Sequence, residues 1–226
     1  MLIGLISDVH SNAVALKAVL EELDELGVKT ILHAGDIVGY NPYPDETIDL
    51  FKKKNIVSIL GNHDRAFMTS DTSFLNSYAS EALEWTRNTA SRDSLNYVKR
   101  LKDKLTIDAK GERIVLFHEG PKNFPEYIFP ENVTPDLLSN INGDILVLGH
   151  THKPFIMDYG TRGLIVNPGS VGQPRDGNPD ASFAVLDTVT REIKLKRTKY
   201  NIEKVIRDML TAHLPEALAY RLRAGR

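Results

Sequence analysis

The sequence predicts an α/β domain built on a parallel sheet, and three observations carry that reading. Short apolar runs at residues 2–6, 30–32 and 56–60 alternate with longer stretches whose apolar residues recur at helical spacing. Strand, helix, strand, helix, strand implies parallel pairing with right-handed crossovers. Each run also ends abruptly in polar residues: Asp8-Val9-His10, Gly35-Asp36 and Gly61-Asn62-His63-Asp64. In open α/β sheets, ligands bind at such carboxyl ends of strands.

Taken in order, residues 2–6 form the first strand, and Ser11 or Asn12 can cap the helix that follows. Leu16, Val19, Leu20, Leu23 and Leu26 recur at helical spacing there, and Gly27 stops the helix. Residues 30–32 are the second strand. The loop Asn41-Pro42-Tyr43-Pro44 is rigid and precedes a helix over about residues 45–54. The third strand then opens into a loop at Gly61-Asn62-His63-Asp64. From Arg65 to about Lys104 the pattern turns helical: Tyr78, Ala82, Trp85 and Thr89 share one side of a first helix, and Leu95, Val98 and Leu101 mark a second. Residues 114–117 read as a strand ending in His118, and residues 120–135 as a Pro- and aromatic-rich loop. Residues 145–148 are a strand ending in Gly149-His150-Thr151-His152. Residues 155–157, 164–166, 182–186 and 192–196 are β-rich and read as antiparallel. From Asn201, Ile202, Val205, Ile206, Met209, Leu210 and His213 form one apolar helix face, and Pro215 starts a new helical piece. That face must be covered by the sheet or by a second subunit; docking within the chain is the reading favoured, with a homodimer through Leu214 to Leu222 open. With no repeat or linker, residues 1–226 read as one domain. Residues 64–105 form a helical cap-like segment and residues 201–226 a helical extension.

Composition bounds the function. The 226 residues suffice for a substantial core. Lys plus Arg number 28 against 30 Asp plus Glu, a net charge of −2, and no basic stripe marks a dedicated nucleic-acid surface. The chain has no cysteine, which excludes disulfides and thiolate metal sites. A metal must then be held by His, Asp, Glu, Asn or backbone oxygen. Residues 1–6 are too short for a signal segment, and no apolar stretch approaches a membrane span. The expectation is a soluble, cytoplasmic protein.

Five polar clusters sit at strand ends: Asp8-x-His10, Asp36, Asn62-His63, His118 and His150-x-His152. They take up His10, His63, His118, His150 and His152 of the seven histidines. In Asp-x-His and His-x-His both side chains can turn toward one cation. Carboxylate, imidazole and amide oxygen make a mixed site suited to Mn, Fe, Zn, Co or Ni. Asp36, central among these strands and with two oxygens, is the natural bridge between two metals. His33 and His213 read as packing or hydrogen-bonded histidines. Arg175 is either a bidentate phosphate anchor or a solvated loop arginine.

These clusters together resemble the five-block motif of the calcineurin-like metallophosphoesterases. Gly39-Tyr40 and Asn167-Pro168-Gly169-Ser170-Val171-Gly172-Gln173-Pro174-Arg175 resemble its small single-domain YfcE-like phosphodiesterases. The resemblance implies an αββα sandwich of two mixed sheets flanked by helices. It implies one metal on Asp8, His10 and His152, another on Asn62, His118 and His150, and Asp36 bridging them. His63 would be the general acid, oriented by Asp64. Two divalent cations about 3.5–4 Å apart, Mn²⁺ foremost and Ni²⁺, Fe²⁺, Zn²⁺ or Co²⁺ as alternatives, would activate a water between them. The water would attack in line on a phosphate ester, either a small molecule or a nucleotide.

Two positions depart from the family pattern. Ser11 replaces the usual Gly after the first His, and Glu119 follows His118. Glu119 either orients His118 or points away from it. Phosphodiesterase is the reading favoured. A phosphomonoesterase, protein phosphatase or dinucleoside polyphosphate hydrolase on the same core, and a non-catalytic scaffold of the same fold, are the alternatives. The pocket walls, over residues 65–104 and 119–135, name no substrate.

Overall fold

The computed structural model describes residues 1–121 and 127–226. The middle of the expected aromatic loop, residues 122–126, lies outside the described residues. Strand β1 (Leu2–Ile6) is followed by α1 (Ala13–Glu25), β2 (Thr30–His33), α2 (Pro44–Lys53) and β3 (Val57–Ser58). Asn12 caps α1, its side-chain oxygen accepting from the Ala15 N–H. β1 to β3 pair in parallel, as the alternation requires. Of the expected third strand only Val57–Ser58 is regular, because Leu60 N–H turns away to the Lys102 carbonyl.

The next stretch differs from expectation at its start. Gly61-Asn62-His63-Asp64 is not a loop: helix α3 (Asn62–Thr69) begins inside it. Asp64, three residues after the N-terminal flank, accepts the Gly61 N–H at 3.0 Å and satisfies an otherwise orphaned donor. Helices α4 (Ser77–Thr89) and α5 (Arg92–Val98) follow, and then β4 (Lys104–Ala109), which the sequence reading did not assign. β4 is an edge strand whose Leu105, Ile107 and Ala109 alternate with the exposed Lys104, Thr106 and Asp108.

β5 (Glu112–Phe117), the short α6 (Asp136–Ser139), β6 (Ile145–Val147), β7 (Phe155–Asp158) and β8 (Leu164–Asn167) complete a second sheet, ordered β4-β5-β6-β8-β7. β5, β6 and β8 pair in parallel, so β8 departs from the expected antiparallel set while β7 keeps to it. β9 (Ala181–Asp187) and β10 (Ile193–Thr198) return antiparallel to the first sheet, ordered β10-β9-β1-β2-β3. Helices α7 (Ile202–Thr211) and α8 (Glu216–Arg221) end the chain.

The two mixed sheets pack face to face on alternate residues: Ile3, Leu5 and Leu186 from one, Ile114, Val147 and Val166 from the other. Helices α1 to α3 cover the outer face of the first sheet, and Leu137 and Leu138 of α6 lie over the second. The C-terminal apolar face is covered inside the chain. Val205, Ile206, Met209, Leu214, Leu218 and Leu222 are buried with Ala79 and Ala82 of α4, so these leucines do not form an exposed dimer surface. His213 is a correction: it lies past the end of α7 with φ +56° and is exposed, off the apolar face. No helix among the described residues is long and apolar enough to cross a membrane.

Candidate metal centre

All seven expected ligands come together at the carboxyl ends of strands from both sheets, and all are buried. The polypeptide turns them inward at strained positions. Asp8, His10, Asp36, His150 and His152 all have φ between +46° and +69°. Non-glycine residues adopt that region at a cost of roughly 1–3 kcal/mol each, and such strain gathers at functional sites. Backbone hydrogen bonds hold the turns, with Asp8 N–H donating to Gly35 O and His10 N–H to Asp36 O at 3.0 Å each. A side chain at position 61 would run into the Asp36 carboxylate, so Gly61 is required there by close approach.

The donor atoms lie close together, and Asp8, Asp36 and His118 also form a group, as do His10, Asp36 and His63. Asp8 Oδ1 lies 3.4 Å from His152 Nε2 and 3.9 Å from His10 Nε2. Asn62 Oδ1 lies 3.1 Å from His118 Nε2 and 3.0 Å from His150 Nδ1. Asp36 Oδ2 stands between the groups, 3.6 Å from His10 Nε2 and 3.2 Å from His118 Nε2.

The chemistry of these contacts calls for a cation. His10 Nδ1 faces the Val38 carbonyl and His152 Nδ1 the Gln173 carbonyl. A carbonyl only accepts, so each Nδ1 carries the ring proton. Burial lowers both imidazoles well below their ordinary range, so both are neutral and both Nε2 atoms present lone pairs. Those lone pairs face each other at 3.1 Å. Two lone pairs at that distance repel unless a positive charge lies between them. His118 Nδ1 likewise donates to Ala34 O at 2.7 Å. Burial lowers the His118 pKa, but Asp36 and Asp8 outweigh it and raise it to about 10, so a proton stands where a cation would otherwise neutralise the carboxylates. The residues present therefore fit divalent cations, with carbonyl oxygens fixing the imidazole tautomers from behind.

The expected general acid, His63, is buried between the His10 ring and the Tyr40 ring, with centroids at 4.7 and 4.6 Å. Its Nδ1 has no hydrogen-bond partner among the described residues. Asp64 does not orient it. The Asp64 carboxylate accepts from the backbone N–H groups of Gly61, Asp36, Ile37 and Val38, at 2.9–3.2 Å. It therefore shapes the Asp36 loop, and the orienting role expected for it is corrected. Glu119 pairs with Arg65, and it is the Ala34 carbonyl that orients His118.

Arg175 reaches the same pocket, whose walls include Phe74, Leu75, Asn76 and Tyr127 from the two stretches expected to form them. Its Nη2 donates to Gln173 Oε1 at 2.8 Å and to Tyr40 Oη at 3.2 Å, and no carboxylate pairs with it among the described residues. Sequence reasoning missed Tyr40 and Gln173 as site residues. His33 is buried and hydrogen-bonded to Ser58 Oγ at 2.7 Å, as a packing histidine should be.

A family model, the calcineurin-like phosphoesterase superfamily domain, matches residues 1–191. An uncharacterized protein of Methanocaldococcus jannaschii is 35% identical over 100% of this chain and 98% of its own length. A metallophosphoesterase of Sphaerobacter thermophilus is 33% identical, with a TM-score of 0.85 and full coverage of both chains. The E. coli phosphoesterase YfcE shares the fold at 21% identity and a TM-score of 0.55, over 89% of this chain and 100% of its own.

Proposed function

Because the chain belongs to the calcineurin-like phosphoesterase superfamily, we propose that it is a phosphodiesterase using two divalent cations, Mn²⁺ foremost. The observation that carries this reading is the pocket itself: buried carboxylate, amide and imidazole acceptors on one side and, on the other, an Arg175 that pairs with no carboxylate among the described residues. One cation would be held by Asp8, His10 and His152, the other by Asn62, His118 and His150, with Asp36 shared. Bound there, divalent cations lower the pKa of a water and offset the charge of the phosphate.

The chain's own groups do the rest. Arg175 binds phosphate oxygens through a guanidinium that Gln173 and Tyr40 hold in place. His63 delivers a proton to the leaving oxygen. Burial holds its pKa down to about 4, against an upward pull from Asp36, so the ring is neutral in the free site. The negative charge of a bound phosphate raises that pKa and lets the imidazole pick up the proton it later donates.

The test is turnover of a panel of phosphate mono- and diesters by chelator-stripped protein reloaded with Mn²⁺. Diesters should be hydrolysed faster than monoesters. The reverse order would make the protein a phosphomonoesterase, and no hydrolysis of either would leave a scaffold.

A further inference from the structure

Tyr40 and Arg175, which flank the pocket, are both held by a part of the chain outside the matched family domain. Tyr40 is 4% exposed and packs in one apolar cluster with Val205, Ile206 and Met209 of α7 and Leu218 of α8. Its ring stands edge-on to His10 at 4.6 Å and against His63 at 4.6 Å. The same loop is tied a second time: Tyr43 Oη donates to Asp208 Oδ2 of α7 at 2.5 Å, and Lys204 Nζ lies 5.3 Å from the Tyr43 ring. On the other side, the Gly177 N–H, two residues after Arg175, donates to Gly225 O at 3.0 Å. A side chain at position 225 would run into the Asn178 backbone, so the C-terminal turn lies flush on the Arg175 loop. Burial lowers the Arg221 guanidinium of α8, and the like charge of Arg175 adds to it, which sets the two side chains within electrostatic reach.

We propose that α7 and α8, with the turn after them, are a positioning element of the phosphate-binding pocket, fixing Tyr40 and through it Arg175 and His63. The proposal rests on the phosphoesterase reading above. Substrate affinity then depends on residues more distant in sequence than any ligand. The metal ligands are held by β-strand ends and their own backbone contacts, with His10 also against the Tyr40 ring, so the element should act on phosphate binding more than on metal binding.

The experiment measures inorganic phosphate binding by calorimetry on the Mn²⁺-loaded protein, beside KM and kcat on a p-nitrophenyl diester. It compares Leu218→Ala, which opens the cluster, and Tyr43→Phe, which removes one hydrogen bond and preserves the fold, each with and without Arg175→Ala. We expect phosphate affinity to fall several-fold and KM to rise in the single variants, with metal content unchanged. In the Arg175→Ala background the further loss should nearly vanish, since residues acting through one partner are not additive. If both variants bind phosphate as the wild type does, whatever their melting temperatures, the proposal is overturned while the phosphoesterase reading stands. Multiplying losses in the Arg175→Ala background also overturn it. A wild type that neither binds phosphate nor hydrolyses the diester overturns both.

Discussion

The Nε2 atoms of His10 and His152 face each other at 3.1 Å, while each ring gives its only proton to a backbone carbonyl. Neutral rings fixed in that way repel, and a cation between them converts the repulsion into shared coordination. Stripped protein should therefore be less stable than loaded protein. Mn²⁺ at about 100 times its dissociation constant should add about 2.7 kcal/mol, or several degrees in melting temperature. His152→Ala should remove most of that increment. A melting temperature indifferent to metal in the wild type would sink this reading of the pair.

Asp36 is the carboxylate positioned to serve both groups of ligands, and its Oδ1 also accepts the His63 N–H at 2.9 Å. Asp36→Asn should lower metal content by elemental analysis and abolish turnover together. Full occupancy with normal turnover would remove Asp36 from the centre.

Asp64 gives a contrasting expectation. Asp64→Ala strands four buried N–H groups, each worth roughly 1–3 kcal/mol when left unsatisfied, so stability by urea unfolding should fall by about 4 kcal/mol or more. The loss should appear in stability and metal affinity together. A variant of unchanged stability whose only change lies in the acid limb of the pH–rate profile would restore the role of orienting His63.

His33, which is not among the expected ligands, carries a pH prediction, with burial the main cause and His118 and Asp36 acting on it in opposite directions. It is fully buried, and burial depresses its pKa from 6.5 to about 3. A depressed histidine stays neutral in the folded state while the unfolded chain takes up a proton. Its contribution is therefore intact above about pH 6.5 and is lost as pH falls toward 3, by about 1.4 kcal/mol per pH unit. In His33→Leu the slope of stability against pH over that window should be smaller by about one proton. An unchanged slope would show that His33 titrates normally.

Much of this was legible in the sequence because the chemistry sits at strand ends. Asp8, His10, Asp36, Asn62, His118, His150 and His152 interrupt apolar runs, and that interruption is visible in one dimension. What was not legible acts through groups with no signature. The carbonyls of Val38, Gln173 and Ala34 fix the imidazole tautomers, and every residue has a carbonyl. Asp64 lies beside His63 in sequence, yet its carboxylate turns into the helix N-terminus and the Asp36 loop. Gly39-Tyr40 contributes to the family resemblance, but the packing of α7 and α8 on Tyr40 shows only in the fold. β4 shows a period of two in Leu105, Ile107 and Ala109, but it follows directly on the stretch that reads as helical to about Lys104, which hides the change of period.

The proton path divides metal binding from catalysis. His63→Ala should keep both metals, since its ring is not among the seven proposed ligands although it lies beside His10 and Asp36, and should slow alkyl ester turnover by roughly 10²–10⁴-fold. With p-nitrophenyl esters, whose leaving group needs little protonation, the loss should be clearly smaller. Equal losses on both substrates would assign His63 to positioning.

The central claim is that the acceptor-lined pocket works only when filled by two divalent cations. Its most direct test is hydrolysis of a p-nitrophenyl phosphodiester by chelator-stripped protein during a Mn²⁺ titration. The account predicts no turnover without metal and a rise that saturates at two equivalents per chain. Turnover by the stripped protein, or saturation at one equivalent, would contradict it.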